Sequence, residues 1–451
     1  MGGFNQATQP IERRLMPRAT LRDLSRLFLK LGIFGFGGPA AHIATMEEEV
    51  VQRKRWLSEQ EFLDLVGATN LIPGPNSTEL AIHIGYQQGG WRGLFLAGSC
   101  FIFPAVIITS LFAWLYVEYG QLPQTASLMT GIQPTVLAII LIAGWRLGKK
   151  ALFNRRLQVF ALMVAGISLY LPGKQVLVLL FSSLIGTLLV KARNTQPPDA
   201  PPSPPSPPAP PSPPATPRAT PAMLMGASTL SVAPGALTSG SGLLGSLAML
   251  GWIFLKTGAV LYGSGYVLIA YLEGELVHQY HWLTENQLID AIAIGQFTPG
   301  PILSTATFIG YVVMAPLGPL ASVAGAVIAT FAIFLPSFLL VGITSRWVSK
   351  LRSHRTLSKF LDAVNAASMG IMGAVVLKLA RPTLLPDNVS HSSSITVYPG
   401  WNITVPLDWS IAVRLLIAAV AMTLILRYRV SPILIIAGGL LCGLLLGPWL
   451  V

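Results

Sequence analysis

Apolar runs of about 20 residues recur along the chain, and they constrain its fold more than any other feature. They include residues 94–117, 127–145, 159–190, 320–344 and 411–450. A helix of about 20 apolar residues spans a hydrocarbon core of roughly 30 Å. Only 11% of the residues are charged, against about 25% in a typical soluble domain. The sequence therefore predicts an all-α polytopic membrane protein with about 10–12 membrane segments, some of them Gly/Pro-broken or re-entrant.

The remaining composition argues against nucleic-acid binding and against catalysis. The formal net charge is +12, and we assign the excess to cytoplasmic loops, where Lys and Arg concentrate in membrane proteins. Cys100 and Cys442 are far apart, and the six histidines have no metal-ligand spacing. We expect no cofactor, no metal site and no catalytic residues, and we predict that the protein is not an enzyme.

A proline-rich stretch divides the chain. Residues 197–221 contain 14 prolines in 25 positions, which favours an extended polyproline-II spacer. We predict four parts in chain order: a basic N-terminal segment, a first membrane repeat, a Pro-rich linker and a second membrane repeat. Their bounds are 1–26, 27–192, 193–245 and 246–451.

The two membrane parts are copies of one unit. Residues 28–75 align with 254–301 without a gap, at an offset of 226, and 17 of the 48 positions are identical. Charged residues, tryptophans and prolines match, which shared apolar character alone does not explain. Many secondary transporters are built from two such repeats, with a binding site near the midplane between them.

The distribution of basic residues predicts that the repeats are inverted. In the first repeat, the basic loop 147–156 follows its long helix, whereas in the second the basic loop 346–359 precedes the equivalent helix. Both loops should be cytoplasmic and residues 382–410 external. Because the N-terminus is also basic, one segment must fail to cross. Either the broken segments are re-entrant hairpins, or residues 17–26 lie flat on the membrane.

Breaks in the apolar segments suggest a binding site. A Pro-Gly-Pro sequence interrupts each repeat, and freed backbone groups are tolerated in a membrane only where protein or a polar cavity satisfies them. The helix that restarts presents unpaired N–H groups and a partial positive charge, which suit an anion. The helix-break residues are Pro73, Gly74, Pro75, Pro299, Gly300 and Pro301. The predicted donors beside them are Asn76, Ser77, Thr78, Thr298, Ser304 and Thr305.

A glycine-rich break lies upstream in each repeat, and its N–H groups can cradle an oxyanion. The candidate glycines are Gly35, Gly37, Gly38, Gly263 and Gly265. The alternative is that they serve close helix packing. Lys30 and its repeat mate Lys256 either attract the anion or extend to the interface.

Glu79 and His83 follow the first break and are the candidates for proton coupling. A carboxylate in an apolar segment is costly when charged and can carry a proton. Its position in the second repeat is Thr305, so Glu79 has no acidic mate.

The motifs FGFGGP, PGPNSTELAIHIGY and the weaker TPGPILSTATFIGY resemble those of the chromate ion transporter family, in its long-chain, two-repeat form. The resemblance implies chromate resistance by efflux across the plasma membrane, driven by the membrane potential or a proton gradient. Sulfate is the chemically similar oxyanion.

Two other functions fit the sequence: a small-anion channel, and a sulfate transporter without a role in chromate transport. The partners that we expect are the chromate or sulfate oxyanion and the lipid bilayer, with a homodimer as a further option and no nucleic acid.

Overall fold

In a computed structural model, the described residues are 18–35, 38–69, 72–119, 123–171, 173–189, 242–262, 265, 267–345, 355–384, 409–428 and 430–446. Gly37, Gly263 and the proline-rich stretch 197–221 lie outside them. The described part holds fifteen α-helices and no strand. In chain order these are α1 Leu21–Phe34, α2 Gly38–Glu47, α3 Glu59–Thr69, α4 Asn76–Tyr119, α5 Pro123–Ala151, α6 Arg155–Tyr170, α7 Gln175–Leu189, α8 Leu243–Val260, α9 Val267–Leu272, α10 Glu285–Phe297, α11 Thr305–Met314, α12 Pro319–Thr344, α13 Arg355–Leu384, α14 Trp409–Arg427 and α15 Pro432–Leu446.

Six of the described helices are long and apolar enough to cross a membrane. They lie at Asn76–Tyr119, Gly131–Ala151, Leu243–Val260, Pro319–Thr344, Lys359–Arg381 and Ser410–Arg427. Large apolar side chains such as Phe331 and Leu320 are exposed on them, as expected of surfaces that face lipid rather than water. The predicted class, an all-α polytopic membrane protein, is confirmed.

The repeat extends to local detail of the backbone. A π-helical turn follows α2 at Glu48–Arg53, and another follows α9 at Glu273–Gln279. Two residues after each turn stands a residue with φ of 52°, Arg55 in the first repeat and His281 in the second. The next helix is capped in both repeats, by a Ser58–Glu61 pair and by the Thr284–Gln287 capping box. These caps satisfy the N–H groups that a helix start leaves unpaired.

The broken segments of the first repeat enter the fold and return to the side from which they came. The side chain of Gln88 accepts from the Ala19 N–H at 3.1 Å and donates to the Trp56 carbonyl at 3.0 Å. The start of α1, the turn before α3 and the end of the first arm of α4 therefore meet at one face of the molecule, here called the first face. Gly89 and Gly90 break α4 at that face, and its second arm, residues 91–119, runs to the opposite, second face.

Equivalent helices of the two repeats run antiparallel. Near the first face, Trp91 at the start of the second arm of α4 contacts Gly342 near the end of α12. Further in, the Phe95 ring stacks on Phe338 with centroids 5.8 Å apart. Since α12 is the repeat mate of this arm, the two repeats have opposite directions, as the predicted inversion requires. The helix ends that flank both basic loops, Ala151 and Ser345, accordingly lie at the first face.

The repeats are interlocked rather than separate. Helices α6 and α7 of the first repeat pack on α13 of the second, and α14 and α15 of the second pack on α5 of the first. Glycines allow close helix crossings in both of these contacts. Gly370 of α13 faces the Ala161 carbonyl of α6, and Gly131 of α5 faces Gly439 of α15. Each repeat thus packs helices against the other, and the domain bounds 27–192 and 246–451 stay a prediction.

Candidate functional site

The four broken segments meet in pairs, each pair taking one break from each repeat. The backbone N–H of Gly74 donates to the Leu261 carbonyl, with N and O 2.7 Å apart. The N–H of Gly300 donates to the Gly35 carbonyl at 2.9 Å. Both bonds join residues that the offset of 226 relates, so they are two copies of one contact. Each satisfies backbone groups that the break has freed, as a membrane interior demands.

Glycine is required at the Pro-Gly-Pro breaks by conformation and by space. Gly74 has φ of 145° and Gly300 has φ of 92°, where side chains with a Cβ atom are strained. A Cβ on Gly74 would collide with Glu79 Oε1 and Ser337 Oγ, and one on Gly300 would lie 3.0 Å from Ala105 Cβ. The chain therefore packs closely at both breaks.

The helices that restart after the breaks begin with buried hydroxyl groups. Thr78 and its repeat mate Ser304 are both fully buried, and their hydroxyl oxygens have no hydrogen-bond partner within the described residues. Such orphans are uncommon because they carry a desolvation cost. Ser77 is also buried. By contrast, Thr305 Oγ1 donates to the Ile302 carbonyl at 2.8 Å and Thr298 Oγ1 to the Gly295 carbonyl at 3.2 Å.

The remaining predicted site residues occupy the breaks or their edges. Asn76 begins α4 and is half-buried. Gly38 begins α2 with φ of 80°, and Gly265 packs against Ile302 and Leu303 at the start of the second restarted helix. The glycine-rich and Pro-Gly-Pro breaks are thus neighbours, although the two pairs of breaks are not chemically alike.

Polar groups gather at one pair of breaks. Glu79 is fully buried. Ser337 Oγ lies 3.5 Å from its Oε1, and Oε2 has no partner in the part of the chain that the structure describes. At the equivalent place in the other pair stand Thr305 and Ala105. The first pair therefore holds a buried carboxyl group where the second pair holds none.

Two histidines lie near the breaks, and both lack repeat mates. His83 is fully buried one helical turn after Glu79, and its Nδ1 lies 3.2 Å from Ser345 Oγ at the first face. Spacing of four residues puts Glu79 and His83 on the same side of the helix. His42 Nε2 donates to the Gly35 carbonyl at 3.0 Å, the same oxygen that accepts from Gly300.

The lysines of the predicted site have carboxylate partners. Lys30 Nζ lies 3.1 Å from Glu49, and Lys256 Nζ lies 2.7 Å from Glu275. Glu49 and Glu275 are repeat mates on the π-helical turns, so the ion pair is duplicated like the backbone contact. Both lysines thus have a structural role, and attraction of an anion by either stays a prediction.

Comparison with known proteins identifies the family. A family model described as "Chromate transporter" matches residues 22–187 and 248–444. The chain belongs to the chromate transporter family. The match in two regions agrees with the two repeats and leaves out the proline-rich stretch. Membership in this family makes the protein a multi-pass membrane transporter.

Relatives within the chromate transporter family cover most of the chain. The chromate transport protein of Cupriavidus metallidurans is 29% identical over 440 residues, which are 96% of this chain and 95% of the relative. A probable chromate transport protein of Synechococcus elongatus is 28% identical over 368 residues, 82% of this chain and 86% of the relative. The chromate transport protein of Pseudomonas aeruginosa is 28% identical over 384 residues, 84% of this chain and 86% of the relative. No solved structure matches the chain.

Sequence reasoning missed Ser337, and it left Glu273 and Asp290 out of the predicted site. Ser337 was not singled out, because nothing in the sequence places it beside Glu79. Glu273 is fully buried and is neutralised by Lys378, whose Nζ lies 3.3 Å from Oε1. Asp290 is buried too, where it accepts from Tyr116 Oη at 2.9 Å and from Gln133 Nε2 at 3.0 Å. Their signal was the presence of acids in apolar segments, but Lys378, Tyr116 and Gln133 come from helices distant in sequence.

Proposed function

We propose that this protein is a secondary transporter that exports chromate, with the oxyanion held at the starts of the helices that follow the Pro-Gly-Pro breaks. The observation that carries the proposal is the pairing of the breaks across the antiparallel repeats, Gly74 with Leu261 and Gly300 with Gly35. Sites of this kind lie between inverted repeats in other secondary transporters, where alternating access moves one repeat against the other.

The chemistry of the breaks supports an oxyanion as substrate. A helix start offers N–H groups without intrahelical acceptors and a partial positive charge. The orphaned hydroxyls of Thr78 and Ser304 add donors that can turn toward an oxygen atom. Chromate and sulfate are both tetrahedral dianions, so such donors suit either. Chromate is favoured because the relatives are named chromate transport proteins.

Glu79 and His83 are the proposed proton carriers. Glu79 is buried in the first turn of α4 and forms no ion pair within the described residues, so a neutral carboxyl group is the less costly state there. His83 lies between Glu79 and Ser345, and Ser345 ends the helix at the first face. This order of groups makes a short route for a proton from that face to Glu79. We place the protein in the plasma membrane with the first face cytoplasmic, so that export yields chromate resistance.

Transport by purified protein in proteoliposomes tests the proposal. Radiolabelled chromate and sulfate are offered with and without a pH gradient, and saturable chromate flux that responds to the gradient is expected. A hydrogen bond to a charged group contributes about 1.5–3 kcal/mol, so Ser77→Ala or Thr78→Val alone should weaken chromate binding roughly 10- to 100-fold, and the double variant Ser77→Ala/Thr78→Val should weaken it further.

The matched control is Thr423→Val, which removes an exposed hydroxyl that donates to the Ala419 carbonyl and should leave transport unchanged. Wild-type chromate affinity in the Ser77→Ala/Thr78→Val variant would show that the helix start does not hold the oxyanion. Flux that fails to saturate would instead indicate a channel.

A further inference from the structure

The Glu79 carboxyl group lies at the helix start that the oxyanion would use. Glu79 is in the first turn of α4, and its Oε1 packs on the Cα of Gly74 within the break. Its only hydrogen-bond donor among the described residues is Ser337 Oγ, at a long 3.5 Å. A negative charge here is stabilised mainly by the N–H groups and the partial positive charge of the helix start. Those are the same groups that would stabilise a bound dianion.

Few other charges reach this point. From the second repeat, the phenol of Tyr262 in the α8–α9 break and the hydroxyl of Ser337 on α12 face Glu79. From its own helix, His83 lies one turn further on. The lysines of the predicted site, Lys30 and Lys256, are paired with Glu49 and Glu275. No described cation pairs with Glu79, so a carboxylate and a dianion at this helix start would repel each other with little compensation.

We infer that the Glu79 carboxylate and the oxyanion compete for the start of α4, so that the oxyanion binds only when Glu79 has taken up a proton. This inference rests on the proposed function and adds that proton binding at Glu79 favours binding of the oxyanion. The proton comes from solvent and forms the O–H bond of the Glu79 carboxylic acid, and no other bond changes. Proton and dianion then occupy the site together, with a combined charge of −1.

Joint binding of a proton and a dianion determines which energy source drives export. Because the empty site returns with an ionised Glu79, one complete cycle moves one net negative charge outward, and an interior-negative membrane potential drives that movement. An inward proton gradient opposes the same step, since the proton leaves with the anion. The membrane potential, rather than the pH gradient, therefore powers export.

Proton uptake on binding is the direct test. Purified full-length protein in detergent and weak buffer, at a mildly alkaline pH where chromate is the dianion, is titrated with sodium chromate at matched pH. Released or absorbed protons are followed with an indicator dye, and chromate binding is measured in parallel by calorimetry. At pH values where Glu79 of the empty site is ionised, linkage predicts uptake of about one proton per chromate bound and a chromate affinity that falls about tenfold per pH unit, so the titration is repeated at increasing pH.

Two variants sharpen the result. Glu79→Gln should bind chromate without proton uptake and with an affinity independent of pH. The matched control Glu49→Gln changes another buried carboxyl group, but one that Lys30 and Arg53 already neutralise, and it should retain proton uptake. If Glu79→Gln fails to fold, the number of protons that the wild-type protein takes up per bound chromate still tests the inference.

The possible failures are distinct. Chromate binding by wild-type protein with no proton uptake at any of these pH values, or with proton release, would overturn this inference and leave the proposed function in place. Undiminished proton uptake in Glu79→Gln would do the same. Absence of chromate binding to the wild-type protein would overturn the proposed function and this inference with it.

Discussion

Replacing Gly74 by alanine should test whether the pH dependence of chromate transport requires the Glu79 carboxyl group at the helix start. Gly74 has φ of 145°, and a residue with a Cβ atom in the positive-φ region costs about 1–2 kcal/mol. That cost lowers the ratio of folded to unfolded protein about 5- to 30-fold. Besides this strain, the new Cβ would collide with Glu79 Oε1 and Ser337 Oγ, so the carboxyl group must leave the helix start.

Gly318→Ala is the matched control for strain alone. Gly318 has φ of 103°, and nothing lies within 4 Å of a Cβ built there. Gly318→Ala should therefore lose about 1–2 kcal/mol of stability and Gly74→Ala at least as much, measured by thermal unfolding in detergent. Only Gly74→Ala should also lose the pH dependence of chromate transport in proteoliposomes. Wild-type pH dependence in Gly74→Ala, or an equal loss in Gly318→Ala, would refute the argument that Glu79 acts from the helix start.

Two further predictions concern charges away from the break. The side chain of Glu275 is 4% exposed, and Lys256→Met leaves it without its cation. This loss should destabilise the protein by about 3–5 kcal/mol, which thermal unfolding should detect. Adding Glu275→Gln to the same chain should restore most of the lost stability. Cysteines introduced in the loops 147–156 and 346–359 should both resist a membrane-impermeant reagent in intact cells, whereas cysteines at 390–400 should react. Labelling of either basic loop would contradict the inverted arrangement.

Local physical chemistry made much of this protein predictable from its sequence. Proline lacks a backbone N–H, so the breaks at Pro73–Pro75 and Pro299–Pro301 were visible without a structure, as were the long apolar runs that became helices α4, α12 and α14. The aligned charges and prolines identified two repeats, and the basic loops predicted their opposite directions. All of these follow from interactions within a few residues or from the solvent that a segment requires.

The partners of the polar groups were decided by the tertiary structure. Glu79 and Ser337 are 258 residues apart in sequence, and they meet because the antiparallel repeats bring α12 against the first break. Lys30 pairs with Glu49, 19 residues away, because the chain between them folds back as a hairpin. The sequence was compatible with this topology and with others. Apolar helices can pack in many orders with similar burial, so composition does not choose among them. The choice is made by close glycine crossings and by backbone groups that must find a donor or an acceptor across the repeat interface.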